Sequence, residues 1–259
     1  MATKYPIILV HGVAAKQLRI MNAFGRIGHK LADAGYTVFV ADTDGFGTVE
    51  SNAHQLKSYV LAVLKVCKVK KVNIIAHSKG GLDAKYMITH LGMEERVASL
   101  TTLCTPHRGS IIASKLWDMP MWVKKTLAFF IDFTYKHFLG DENPNALKTC
   151  EQLRRVDEIE ETICFSESVY CQSYSTELHR ARDCFVMALP MRIYRHYEDS
   201  ENDGLVARDS TRFGNFRGSC LDISASHVQI IDLFSKKSQR EKIYSFYISL
   251  CSSLSDMGF

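Results

Sequence analysis

The chain has 259 residues, of which 46% are hydrophobic, and it carries a formal net charge of +4. That length and apolar content are sufficient for one large buried core, and no repeat or Pro/Gly/Ser-rich linker divides the chain, so a single domain over residues 1–259 is expected. Basic and acidic residues are interspersed, which gives no support for a nucleic-acid partner.

No targeting signal is visible in the sequence. The first residues lead directly into an apolar run, without a cationic segment and a following h-region. No charge-free apolar stretch of about eighteen residues predicts a transmembrane helix. The eight cysteines form no CxxC pair, so reduced thiols in a cytoplasmic protein are expected. A secreted chain trimmed of its leader would present the same sequence.

Apolar runs bounded by turn residues predict strands, which we place at residues 7–10, 36–41, 72–76, 97–104, 191–197 and 220–224. Helical periodicity between them predicts helices at residues 24–34, 55–65, 79–90 and 239–250. Such alternation is typical of an α/β fold, with a mostly parallel sheet covered by helices on both faces. Reacting groups are then expected at the carboxyl ends of the strands.

One serine stands where the third predicted strand turns into the following helix. The run from Ile74 to Gly81 reads Ile-Ile-Ala-His-Ser-Lys-Gly-Gly, with Ala76 and Gly80 two positions on either side of Ser78. This matches the nucleophile elbow G-x-S-x-G, with alanine in the first glycine position. Such a turn strains the serine backbone and exposes its hydroxyl. A chance serine among small residues is the alternative, because five-residue matches are common.

A nucleophilic serine also requires N–H donors that stabilise a developing oxyanion. The residue after the serine supplies one of them, here Lys79. The second is expected from the loop after the first strand, which reads His11-Gly12-Val13, so that Val13 would donate and Gly12 would allow a close approach. An ordinary strand-ending turn is the alternative interpretation of this loop.

The histidine base and the acid are expected in the order Ser, acid, His. His227 lies in a loop of small residues before the last predicted helix, and we assign it as the base. Asp203 lies before it in an Asn-Asp-Gly turn and is our candidate for the acid that orients the imidazole. Composition alone does not separate it from other nearby carboxylates: Glu198, Asp199, Glu201 and Asp209.

With these residues in place, the chain resembles the bacterial true triacylglycerol lipases of the pseudomonad type, in the α/β-hydrolase superfamily. The matching blocks lie in the family's order at residues 5–12, 71–81, 97–110 and 202–206. The resemblance implies an α/β-hydrolase fold and a Ser78, Asp203 and His227 triad. It also implies an oxyanion hole made by the amides of Val13 and Lys79.

Two departures from that family concern metal binding and disulfides. Gln229 stands where the family has an aspartate that binds calcium, and Asp209 stands where it has a disulfide cysteine. The resemblance therefore implies that both features are missing, and we predict no metal site and no cofactor. Together with the missing signal, this points to an intracellular relative.

Residues 111–150 are predicted to form a helical lid or cap insert. On a helix, residues 121–139 place Lys124, Lys125, Asp132 and Lys136 in one narrow polar stripe, and apolar side chains fill most of the remainder. So broad an apolar face is either buried as a fixed cap or meets lipid as a mobile lid. Substrate contacts are expected from Trp122, Leu127, Phe130 and Phe133.

Together these features predict a carboxylic-ester hydrolase that forms an acyl-enzyme. Its substrate would be a lipid or a short-chain acyl ester, with transient contact to a lipid surface through the lid. A thioesterase or phospholipase with the same triad is the enzymatic alternative. An inactive scaffold that binds lipid is the alternative from another class. The sequence does not indicate an oligomeric state.

Overall fold

A computed structural model describes residues 2–15, 22–154, 168–197 and 201–259. Its centre is a sheet whose strands are β1 Ile7–Val10, β2 Val38–Ala41, β3 Val72–His77, β4 Val97–Leu103, β5 Tyr170–Ser175 and β6 Asn215–Ser219. The strand order is β2-β1-β3-β4-β5-β6, and all five pairings between these strands are parallel.

Helices follow most of the strands and cover both faces of the sheet. They are α1 Ile27–Asp33, α2 Val49–Cys67, α3 Lys79–His90, α4 Ile111–Trp117, α5 Met121–Thr134, α6 Ala146–Gln152, α7 Ala188–Tyr197 and α8 Lys237–Asp256. A π-helical turn, Tyr135–Leu139, continues α5. Among the described residues, no helix has the length and apolar content needed to span a bilayer.

The alternation of side chains along β1 explains the two core layers. Ile7 and Leu9 pack on one face with residues of α1 and α8, whereas Ile8 and Val10 pack on the other face with residues of α2 and α3. Successive side chains of a strand point to opposite faces, so a continuous apolar run requires burial on both sides. The α/β prediction is confirmed.

Two of the predicted strands are wrong. Residues 191–197 belong to α7, in which Met191 and Tyr194, three positions apart, are the buried residues. The strand at this place in the sheet is β5, whose polar residues are buried because they are hydrogen-bonded: Gln172 Nε2 donates to Thr101 Oγ1 at 3.0 Å. Residues 220–224 form a loop that follows β6, a partly exposed edge strand.

The predicted insert lies between β4 and β5 and comprises α4, α5 and α6. Its two ends meet: Ser110 forms an isolated β-bridge with Arg154 and donates its N–H to the carbonyl of Leu153 at 2.9 Å. Near the end of the insert, the carboxylate of Asp141 accepts hydrogen bonds from the loop after β2, including the amide of Phe46 at 2.9 Å. The two ends of the insert are therefore paired with each other, and Asp141 ties the insert to the loop after β2.

Helix α5 lies against the protein with the side that carries Ala128 and Asp132, and its aromatic side chains are exposed to solvent. Asp132 accepts a hydrogen bond from the amide of Ala146 at 2.7 Å, and Lys124 donates to the carbonyl of Trp117. The one buried residue of α5 is Ala128. A fixed cap with a buried aromatic face, one of the two alternatives from the sequence, is therefore not the arrangement that the structure shows.

Candidate active site

Ser78 lies in the sharp turn between β3 and α3. Its backbone has φ 55° and ψ −134°, a conformation that costs free energy for any residue with a Cβ. The turn is held by its neighbours, because Thr105 Oγ1 donates to the Ser78 carbonyl at 2.8 Å. A Cβ at Gly80 would lie 2.4 Å from the carbonyl oxygen of His11, so only glycine fits there. The elbow predicted from the sequence is present.

Three side chains from distant parts of the chain meet at this turn. Ser78 Oγ lies 2.8 Å from Nε2 of His227, and Nδ1 of His227 lies 2.7 Å from Oδ2 of Asp203. With the proton on Nδ1, the imidazole donates to the carboxylate and its Nε2 accepts from the serine hydroxyl. All three side chains are buried. The structure thus brings the three predicted triad residues together.

Backbone amides orient the carboxylate of Asp203. Its Oδ1 accepts hydrogen bonds from the amides of Leu205 at 2.9 Å and Val206 at 2.8 Å, which leaves Oδ2 for the imidazole. Two of its rivals pair elsewhere, Glu201 with Arg208 and Asp209 with Arg212. The remaining rivals, Glu198 and Asp199, lie outside the described residues.

The predicted oxyanion donors both lie next to Ser78. Lys79 is the first residue of α3, so its amide belongs to the N–H groups that have no acceptor within the helix. Val13 follows β1 and lines the cavity beside the serine. The loop approaches closely because position 12 is glycine: a Cβ there would lie 2.5 Å from the Ser78 Cβ.

His77 positions the base, a role that the sequence reasoning missed. Its Nε2 donates to the backbone carbonyl of His227 at 2.8 Å, and the centroids of the two rings lie 4.6 Å apart. Burial, followed by the nearby His227, holds the pKa of His77 well below its ordinary value. A neutral His77 therefore holds the His227 backbone in place. Its position directly before Ser78 was the available signal.

Cys104 lies behind the acid. Its Sγ lies within 4.8 Å of ligand atoms of Asp203 and His227, the one cluster with metal-ligand spacing in the described part of the chain. Burial raises the pKa of the Cys104 thiol well above its ordinary value. Metals bind the thiolate, so a buried protonated thiol does not favour a metal there. The two other members of the cluster already hydrogen-bond each other.

A buried ion pair supports the helix that begins at the elbow. Lys79 Nζ lies 2.6 Å from Oδ1 of Asp83, with both side chains only 1% exposed. Asn52 Nδ2 donates to Oδ2 of Asp83 at 3.2 Å. Burial raises the pKa of Asp83 to about 6 although Lys79 opposes the shift. Lys79 thus has two roles. Its amide lies beside the nucleophile, and its ammonium forms a buried ion pair along α3.

The cavity at Ser78 has a volume of about 420 Å³. The insert lines it through α4 and α6 rather than α5, with Ile112, Ala113, Leu116, Ala146, Thr149 and Cys150. Substrate contacts were predicted for Trp122, Leu127, Phe130 and Phe133, and they stay a prediction. None of these four lines the cavity, and all are exposed, Trp122 by 73%. The reason is that α5 faces the protein with Ala128 and Asp132.

His107 provides a pH-dependent contribution to stability. It is half-buried and stacks on the ring of Phe213, and desolvation lowers its pKa to about 3, whereas the unfolded chain has an ordinary value near 6.5. A lowered folded-state pKa gives stability that is present above pH 6.5 and is lost as the pH falls. The loss is about 1.4 kcal/mol per pH unit, or about 2 kcal/mol between pH 6.5 and pH 5.

We therefore expect His107→Gln to reduce the difference in unfolding free energy between pH 7 and pH 5 by about 2 kcal/mol. Denaturant unfolding at the two pH values measures this difference. His29→Gln, at an exposed position of α1, is the matched control and should leave it unchanged. An equal pH difference in wild type and His107→Gln would contradict the prediction.

The parallel sheet, the strained serine at the end of β3 and the three side chains that meet there define the α/β-hydrolase class of proteins. Within this class, the chain belongs to the family described as "Putative serine esterase (DUF676)", whose profile matches residues 5–177.

The chain is also similar to curated lipases. It is 39% identical over 123 residues to the triacylglycerol lipase of Pseudarthrobacter phenanthrenivorans, an alignment that covers 46% of this chain and 38% of that protein. It is 26% identical over 258 residues to triacylglycerol lipase 2 of Saccharomyces cerevisiae, which covers 88% of this chain and 72% of that protein. The chain thus spans well under half the length of the bacterial relative.

Solved structures show the same fold at lower identity. A metagenomic carboxyl esterase superposes with a TM-score of 0.72 at 18% identity, covering 96% of this chain and 76% of that one. Lipase 1 from Pelosinus fermentans superposes with a TM-score of 0.67 at 16% identity, covering 98% and 99% of the two chains. The α/β-hydrolase fold is therefore confirmed by independent structures.

Proposed function

We propose that the protein is a carboxylic-ester hydrolase of the lipase or esterase type, which acts through an acyl-enzyme on Ser78. The observation that carries this proposal is the unbroken hydrogen-bonded path from Ser78 Oγ through His227 to Asp203, on a strained turn. Ser78, at one end of this path, lines an apolar cavity. Family membership and the similarity to triacylglycerol lipases support it.

The reaction follows from this geometry. Ser78 Oγ attacks the ester carbonyl carbon while His227 Nε2 takes the hydroxyl proton, and Asp203 stabilises the resulting imidazolium. The amides of Val13 and Lys79 bind the oxyanion. When the tetrahedral intermediate collapses, the C–O bond breaks and His227 returns its proton to the leaving alcohol. Water, activated by the same imidazole, then releases the carboxylic acid and restores the serine.

The cavity supports an acyl chain as the group bound beside the serine. The described residues that line it include no lysine, arginine, aspartate or glutamate, and most are aliphatic. An apolar chain gains free energy on leaving water for such a wall, whereas a charged group would lose its hydration without a partner. Esters of fatty acids are the substrate class that this wall favours.

Helix α5 supports contact with a lipid surface. Its exposed face includes Trp122, Phe129 and Phe130, which are 73%, 65% and 61% exposed. Large aromatic side chains gain little from folding when they remain in water, and a lipid surface would bury them. We infer that this segment is the lid of the enzyme and meets lipid when substrate is present.

Gln229, which stands where the pseudomonad lipases have a calcium-binding aspartate, supports calcium-independent activity. Gln229 uses its side-chain oxygen to accept from the amide of Ser226 at 2.9 Å, and its Nε2 donates to the carbonyl of Asp183 at 3.1 Å. An engaged, uncharged amide does not fit a calcium ion, which prefers carboxylate oxygens. The cytoplasmic location and the single-domain organisation stay predictions.

Covalent labelling tests the proposed function directly. A fluorophosphonate probe should label the purified protein at Ser78, and p-nitrophenyl esters should be cleaved at the same rate with and without EDTA. A panel that adds acyl-CoA and phospholipid distinguishes an esterase from a thioesterase or a phospholipase. Absence of labelling together with absence of ester turnover would show that the protein is an inactive scaffold.

The cavity wall predicts how chain-length preference can be changed. Ala113→Phe fills the cavity from α4, so kcat/KM for p-nitrophenyl octanoate should fall at least about tenfold relative to the butyrate ester. Leu116→Ala should shift the ratio the other way. Leu61→Ala, at an exposed position of α2 outside the cavity, is the matched control and should leave the ratio unchanged. An equal shift with Leu61→Ala would contradict this cavity as the acyl site.

A further inference from the structure

Phe234 is unfavourable to folding in two separate ways. Its backbone has φ 56°, in the left-handed region that a bulky residue rarely adopts, and its side chain is 61% exposed. Asp232, two residues earlier, holds this turn, since its Oδ2 accepts from Tyr244 Oη at 2.8 Å and from the amide of Arg26 at 3.2 Å. Neither the strained backbone nor the exposed ring stabilises the folded monomer. Together they point to contact of this ring with a binding partner.

Two further apolar side chains accompany Phe234. The ring of Phe185 lies 6.3 Å from that of Phe234, edge to face, and Phe185 is 78% exposed. Leu189, one helical turn further along the chain, is 67% exposed. We call Phe185, Leu189 and Phe234 the aromatic rim. It borders the active-site cavity, because Met187 and Leu233, next to these residues in the chain, line that cavity.

Several exposed basic residues lie close to the aromatic rim in the chain. Arg192 lies three residues after Leu189 on the same side of α7, away from the buried Met191. The other exposed basic residues close to the rim in the chain are Arg180, Arg182, Lys236 and Lys237. Residues 184–197 contain no acidic residue. Exposed apolar side chains with basic residues nearby in the chain match the chemistry of a bilayer with anionic headgroups.

We propose that the aromatic rim docks the protein on anionic phospholipid bilayers and so places the mouth of the cavity at the lipid surface. The three apolar side chains enter the interface, and the basic side chains face lipid phosphates. This surface is separate from the exposed face of α5. The benefit to catalysis rests on the proposed hydrolase function, whereas the docking itself does not.

Vesicle flotation of the Ser78→Ala protein tests the proposal without hydrolysis of the lipid. We expect binding to phosphatidylcholine vesicles that contain phosphatidylglycerol, weaker binding to phosphatidylcholine alone, and a loss of the difference at high salt. Phe234→Gly should weaken binding at least about tenfold. Because glycine accepts a positive φ, this variant should melt no lower than its parent, so misfolding would not explain the loss.

Charge reversal separates the electrostatic contribution. Arg192→Glu should reduce binding to the anionic vesicles about tenfold and leave binding to phosphatidylcholine alone unchanged. Val66→Ser removes an exposed apolar side chain from α2 and is the matched control, with no expected effect. Equal binding to both vesicle types, or full binding by Phe234→Gly, would overturn the proposal. A wild-type protein that docks and cleaves no ester would instead overturn the hydrolase function alone.

Discussion

Replacing Ser78 with alanine should lower kcat/KM for a soluble ester by about 10⁵-fold or more, because it removes the atom that attacks the carbonyl. The remaining groups around the cavity would still bind substrate, so KM should change much less than kcat. Initial rates with p-nitrophenyl butyrate measure both parameters. Ser58→Ala, on the exposed side of α2, is the control for the loss of a hydroxyl elsewhere.

The same position allows a second measurement that separates chemistry from strain. Alanine keeps a Cβ at φ 55°, whereas Ser78→Gly removes it and relieves a backbone strain of about 1–3 kcal/mol. Ser78→Gly should therefore melt at a higher temperature than Ser78→Ala, although both are inactive. Wild-type turnover by Ser78→Ala would disprove the assignment of the nucleophile.

Lys79→Met should destabilise the fold by about 3–5 kcal/mol, because it leaves the carboxylate of Asp83 buried without its ammonium partner. That is a large part of the total stability of an ordinary domain, about 5–15 kcal/mol. Denaturant unfolding at neutral pH measures the loss. Activity should also fall, since the amide of residue 79 lies at the proposed oxyanion hole.

A double variant distinguishes a lost ion pair from poor packing of the new side chain. Lys79→Met with Asp83→Leu removes both charges from the interior, and it should recover most of the stability lost in the single variant. Asn52 retains a partner there, since its Nδ2 also donates to the carbonyl of Asp44 at 2.8 Å. A double variant as unstable as the sum of the two single ones would contradict this explanation.

β1, β3 and β4 were predictable because they are mainly apolar segments buried on both faces, and β2, a partly buried edge strand, also has an apolar sequence. β5 and β6 were not, since a strand whose polar groups are satisfied by hydrogen bonds shows no apolar run. Ser173 Oγ, for example, donates to the carbonyl of Phe213 at 2.7 Å. Such partners are remote in the sequence, so a local pattern does not reveal them.

The positions of Ser78, Asp203 and His227 were predictable from motif and chain order, and the structure places them in contact. The choice of Asp203 over its neighbours needed more than composition. What distinguishes it in the structure is a turn whose amides, at Leu205 and Val206, hold one carboxylate oxygen.

Helix α5 shows a different limit of sequence analysis. Periodicity determines which residues share a face, but it does not determine which face lies inward. Here a charged residue is the inward one, because Asp132 accepts a hydrogen bond from the amide that begins α6. The four residues of α5 that were predicted to contact substrate therefore do not line the cavity, whereas the cavity residues on α4 and α6 fall within the predicted insert.

The bridge between Ser110 and Arg154 makes residues 111–153 an interchangeable unit. Because Ser110 and Arg154 lie side by side, a segment of another length or shape could be grafted between them without moving a strand. Substrate specificity can therefore change in evolution by replacement of this one segment, while the serine, the acid and the base stay in place. Family members should accordingly differ most in length at this junction.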